Sequence, residues 1–139
     1  MKRRPDWRQR FEAAIDDIRR TPFEWGTHDC GPALAGRIVL AITGEDIAAP
    51  YRDRYRTASE AVRLVRELGF TDLADLAASM LPEIHPSKAR IGDIAAFPME
   101  GSAFGSALGV VNGERVFVLR HEGIGTMGLL QAHRAFKVG

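Results

Sequence analysis

A chain of 139 residues has room for one domain with a proper core, because a domain of about 150 residues buries roughly two-thirds of its unfolded surface. Its composition, 45% hydrophobic and 27% charged, is that of a soluble globular protein, and no segment is repetitive or low in complexity. The formal net charge of +1 is too small to predict a nucleic-acid or membrane partner, so no nucleic acid is expected, and no apolar run approaches the roughly 20 residues of a membrane span.

Lys2, Arg3, Arg4, Arg8 and Arg10 make the start of the chain locally basic and read as a solvated end. Arg10, Glu12, Asp16 and Asp17 interrupt any apolar region behind them, so no export signal is expected. Trp7, Phe11, Ala14, Ile15 and Ile18 share one face of a first helix, with Asp6 as N-cap and an end near Thr21-Pro22. An aromatic link, Pro22 to Gly26, leads to a second helix from Cys30 to Ile42, apolar nearly all round and closed at Thr43-Gly44. Asp29 can cap that helix, and Pro32 is tolerated in a first turn whose amides have no intrahelical acceptor.

Thr57-Ala58-Ser59-Glu60 matches a capping box, opening a third helix along Ala61, Val62, Leu64, Val65 and Leu68 that stops at Gly69. Thr71 starts a shorter helix through Leu73, Leu76 and Ala77, ended by Leu81-Pro82, so the first 85 residues read as helical. The period then changes. Ile91 to Phe97 reads as a strand, Ala107 to Val111 and Arg115 to Leu119 flank an Asn112-Gly113 hairpin signal, and Ala135 to Val138 offers a last strand. Helices first and strands afterwards predict one α+β domain over residues 1–139, with N-terminal helices packed on a small C-terminal antiparallel sheet.

Cys30 is the only cysteine, which rules out an intramolecular disulfide and fits a reducing compartment. A thiol in the first turn of a helix meets free amides and the positive end of the macrodipole, both of which favour the thiolate. The alternative is a small buried hydrophobe on an apolar helix. Four scattered histidines give no paired spacing for a metal, and Gly101, Gly105 and Gly109 lack the Gly-Lys-Ser/Thr ending of a phosphate loop, so neither metal nor cofactor is expected. Arg52, Arg54, Tyr55 and Arg56 could contact nucleic acid or a protein, but with so little net charge they read first as an ordered loop against the first helix.

The run Trp25-Gly26-Thr27-His28-Asp29-Cys30-Gly31, followed much later by Ile91-Gly92-Asp93-Ile94, resembles the NlpC family of bacterial and phage cell-wall cysteine peptidases. The resemblance spans roughly residues 23 to 120. It is closest to a phage-tail-encoded branch carrying a Trp-Gly-x-His-Asp-Cys run and a loop like Arg52 to Thr57. It implies a papain-like α+β fold with Cys30 as nucleophile. Active members carry His-Val-Gly on the strand after Gly-Asp, the imidazole serving as base; here Ser106 or Ala107 takes that place, and neither can accept a thiol proton at neutral pH. His121 and then His28 are the substitutes within conceivable reach of Cys30, while His85 and His133 read as surface residues.

Two functions follow from the resemblance. The first is a structural or assembly component of a phage tail tip, a peptidase-like domain without its base. Its partners are other tail-tip proteins, and it is assembled in the host cytoplasm into the virion tail. The alternative is an active peptidase cutting peptidoglycan peptide stems, with Cys30 as nucleophile and His121 or His28 as base.

Overall fold

The computed structural model of the chain describes residues 1–25, 29, 34–120 and 122–139. Helix α1 (Trp7–Arg20) buries Phe11, Ile15 and Ile18, as the helical spacing dictates. Asp6 occupies the N-cap, yet its carboxylate accepts from Arg10 Nε at 2.8 Å instead of from a helix amide. Helix α2 (Arg37–Thr43) buries Ile38, Val39 and Ile42 and ends on Gly44 in the left-handed conformation, φ 85°. A π-type stretch at residues 34–36 leads into it, and the Leu34 amide donates to the Asp29 carbonyl at 2.9 Å. The expected start of this helix, residues 30–33, lies outside the described residues.

Helix α3 (Ala58–Glu67) opens on the expected cap. Thr57 Oγ1 accepts from the Glu60 amide at 3.2 Å as expected, whereas Glu60 Oε2 reaches one residue further back than a capping box requires, to the Arg56 amide at 3.0 Å. Ala61, Leu64 and Val65 are buried, but Leu68, at the end of the stripe, is exposed. Helix α4 (Leu73–Met80) begins two residues later than Thr71, because Asp72 is the cap and takes the Ala74 amide at 2.7 Å.

Among the described residues a six-stranded antiparallel sheet follows: β1 (Glu83–Ile84), β2 (Ile94–Pro98), β3 (Ser106–Asn112), β4 (Arg115–Arg120), β5 (Gly123–Gly128) and β6 (Arg134–Phe136), in spatial order β1-β6-β2-β3-β4-β5. The chain thus adopts the expected α+β arrangement of N-terminal helices and C-terminal antiparallel sheet. Several details differ from the sequence reading: the strand expected from Ile91 begins only at Ile94, after a turn in which the Asp93 amide donates to the Arg90 carbonyl at 2.9 Å, and the last strand is Arg134–Phe136 where Ala135 to Val138 was expected. Glu83 and Ile84 are a strand, not part of the helical region, because Phe136 and Ala135 supply a partner. Strand β5 was not foreseen, since Gly123, Gly125 and Gly128 leave little strand propensity and its register comes from β4. Asn112 pairs with Arg115, so the turn residues are Gly113 and Glu114; Gly113, φ 79°, supplies the left-handed first position of a two-residue hairpin loop.

The main core lies between the helices and one face of the sheet, where Phe11, Ile18, Leu34 and Ile38 meet Ile94, Leu108, Val110 and Phe136. Ala95, Phe97, Val111, Val116 and Val118 form a second cluster on the other face, packed against Ala89, Met127, Leu129 and Ala132. No described helix is long and apolar enough to cross a membrane.

The start of the chain is less solvated than its charge suggests. Lys2, Arg8 and Arg10 are exposed. Arg3, however, donates to the Asp93 carboxylate at 3.0 Å, the Val138 carbonyl at 2.8 Å and the Ile91 carbonyl at 2.8 Å, with Trp7 against its guanidinium at 4.4 Å. Burial pulls the Arg3 pKa below its ordinary value, and Asp93 opposes that shift. Asp93 also accepts from the amides of Val138 at 2.9 Å and Arg90 at 2.8 Å, so one buried carboxylate ties both chain ends to the start of β2.

Candidate functional site

The segment before α2 carries Asp29, a buried carboxylate only 1% exposed. Tyr55, itself buried, donates its hydroxyl to Asp29 Oδ2 at 2.6 Å. The loop that delivers Tyr55 is fixed by its own contacts. Arg52 grips Asp46 with two bonds of 2.9 and 3.0 Å, Arg54 reaches the Pro50 carbonyl at 3.3 Å, and Asp53 takes the left-handed conformation at φ 63°. The hydrogen bond from Arg52 holds the Asp46 carboxyl below the usual carboxylate range, and the same bond raises the Arg52 pKa. The basic loop is therefore ordered as expected, but its tyrosine packs beside Ala61 and Leu64 of α3 and not against the first helix, and Arg54 and Arg56 remain exposed.

Aromatic rings frame this pair. Trp25 meets Phe23 edge-on, centroids 5.0 Å apart, and stacks on Phe104 at 5.9 Å. Phe104 precedes β3, and its carbonyl receives the Leu73 amide at the start of α4, at 2.9 Å. One aromatic chain thus joins the link before Asp29 to the sheet.

The two residues at the expected histidine position separate at the start of β3. Leu108 and Val110 point into the helix-side core, whereas Val111 belongs to the opposite cluster, and a Cβ on Gly109 would meet Val116 and Val118 of that cluster. Alternation puts Ser106 on the helix-bearing face and Ala107 on the other. Ser106 is buried, and its Oγ stands 3.4 Å from Nε2 of His133. His133 itself is exposed, as is His85, whose Nδ1 accepts from the Ser87 amide at 3.1 Å, in keeping with the surface placement expected of both.

Cys30, His28 and His121, the residues assigned to catalysis from the sequence, lie outside the described residues. The described part of the expected site is the frame around Asp29, made by Tyr55, Trp25 and Phe104. Among the described residues no group of three or more histidine, cysteine or acidic side chains is arranged to hold a metal ion. The Asp29–Tyr55 bond was not foreseen. Its one signal in the sequence is an aromatic set between Arg54 and Arg56 in a largely charged loop.

Gly92 has φ 93°, and a Cβ there would meet Ile42 Cδ1 at 2.6 Å. The Gly-Asp pair therefore has a local cause: the glycine lets the backbone turn against α2, and the aspartate binds the chain ends.

The NlpC/p60 domain of the peptidoglycan hydrolase SagA, known from a crystal structure, is similar in fold, with a TM-score of 0.56 over 93% of this chain and 97% of that one, at 17% identity. At that identity the likeness establishes an NlpC/p60-like fold and nothing finer. No curated protein matches the sequence. A family model described as a domain of unknown function, DUF6950, matches residues 2–138, and the chain belongs to that family.

Proposed function

We propose that this chain is a phage tail-tip structural or assembly protein, built on an NlpC/p60-like fold whose peptidase machinery has lost its base. The reading is carried by the sequence at the start of β3, where the resemblance aligns Ser106 or Ala107 with the imidazole of active NlpC-type peptidases. A general base is worth about 10² to 10⁴ in rate, so its loss leaves little hydrolysis. The tail-specific part rests on the likeness of Trp25 to Cys30 and Arg52 to Thr57 to the phage-tail-encoded branch. Asp29 and Tyr55, one from each motif, are bonded at 2.6 Å, which gives the two motifs a reason to occur together.

The test is fractionation of assembled particles with an antibody to this chain. Recovery in the tail-tip fraction is expected, and recovery only as free monomer contradicts the proposal. A second reading, an active peptidoglycan peptidase with Cys30 as nucleophile and His121 or His28 as base, is favoured by one observation, the buried carboxylate at the residue before Cys30. It requires release of muropeptides by the purified protein, abolished by Cys30→Ser.

A further inference from the structure

We infer that the cavity between α3, α4 and the Asp29–Tyr55 pair is a binding site for a compact, uncharged apolar ligand. The cavity measures about 80 Å³. Leu64 of α3, Leu73, Leu76 and Ala77 of α4, and Ile94 and Leu108 of the sheet wall its inner part. At its rim Leu68 is 38% exposed, and Trp25, Tyr51 and Phe104 are half-buried, so the space is reachable from solvent.

The lining chemistry selects the ligand. Among the described residues no lysine, arginine or histidine contributes to the wall, and Asp29, the one carboxylate among them, receives the Tyr55 hydroxyl. An anion entering this space would lose its hydration and face the Asp29 carboxylate with no cation among the described wall residues, whereas an apolar group gives up no hydrogen bond. Protein interiors are packed nearly without voids, and a space of this kind leaves its lining atoms without contacts on one side. Apolar cavities about twice this size stay dry and accept benzene or xenon, so the ligand class is a xenon-sized to benzene-sized aliphatic or aromatic group, with the flexible Met80 side chain able to yield at the wall. This inference is independent of whether the domain is a peptidase or a tail component.

The experiment titrates the full chain with xenon, benzene and, as a charged control, benzoate. It reads the melting temperature and the methyl NMR shifts of the leucines. Saturable shifts at the cavity leucines and a Tm that climbs with the logarithm of benzene or xenon concentration are expected, with benzoate inert. Ala77→Leu and Ala61→Leu fill the space from α4 and α3, and each variant that remains folded by circular dichroism should lose the response. Absence of saturable binding to the native protein overturns the inference. So does an equal response in a folded, filled variant, or binding of benzoate as tight as that of benzene.

Discussion

Tyr55 Oη and Asp29 Oδ2 lie 2.6 Å apart although 26 residues separate them in the chain, and both side chains are buried. This bond fixes the chain just before Cys30 to a loop held in turn by Arg52 and Asp46. Tyr55→Phe keeps the ring and removes the donor, so a buried carboxylate loses a hydrogen bond worth about 1–3 kcal/mol. Urea denaturation should show that loss. A double-mutant cycle with Asp29→Ala should give a coupling of at least about 0.5 kcal/mol, and additive effects would mean the bond contributes nothing.

The latch between the chain ends gives a larger effect. Arg3 and Asp93 are 11% and 1% exposed, so deleting either partner leaves the other charged and poorly hydrated. Asp93→Ala should cost about 3–5 kcal/mol, more than Arg3→Ala, because the Val138 and Arg90 amides also lose their acceptor. Equilibrium unfolding of the two variants checks both the size and the order.

Gly92→Ala should destabilise by about 1–3 kcal/mol, combining a strained φ of 93° with a methyl 2.6 Å from Ile42 Cδ1. Gly69→Ala is the control: its φ is 92°, but nothing lies within 4 Å of the added carbon, so only the backbone term of about 1 kcal/mol remains. Equal losses at the two sites would show that the contact with α2 does not matter.

Acid should weaken the link between β1, α4 and β6. Arg134 binds Glu83 at 2.9 and 3.0 Å and Asp75 at 2.7 Å, and the hydrogen bond from Arg134 holds the Glu83 carboxyl below its ordinary range. A depressed folded pKa means the stabilisation is complete above the unfolded glutamate value of about 4.3 and is lost as pH falls through the lower folded value. Glu83 and Asp75 are nearly half exposed, so screening limits the effect to about 1 kcal/mol. The stability gap between native protein and Arg134→Ala should therefore be present at pH 7, shrink in 1 M salt and vanish near pH 2.

The sequence disclosed those parts of the fold whose causes are local. The Thr57 cap and the Phe11, Ile15, Ile18 spacing can be read within a few residues, and both appear in the structure. The sheet order could not be read, because β1 is two residues long and exists only through β6, some fifty residues away. Strand β5 hid behind its glycines. The contacts that organise the site, Tyr55 with Asp29 and Arg3 with Asp93, join residues 26 and 90 positions apart and follow no short-range rule. Arg3 in particular looked like surface charge until its three acceptors were seen together.

The central claim, that the thiol has no base, is tested most directly by the rate of Cys30 alkylation against pH. The native protein is compared with His28→Ala, His121→Ala and His133→Ala, the last included because His133 stands 3.4 Å from Ser106 at the start of β3. The account predicts one pH profile shared by all four proteins, any displacement from the ordinary thiol value of about 8.5 being common to them all. A profile that moves toward higher pH when a single histidine is removed would reveal a working thiol–imidazole pair and contradict the account.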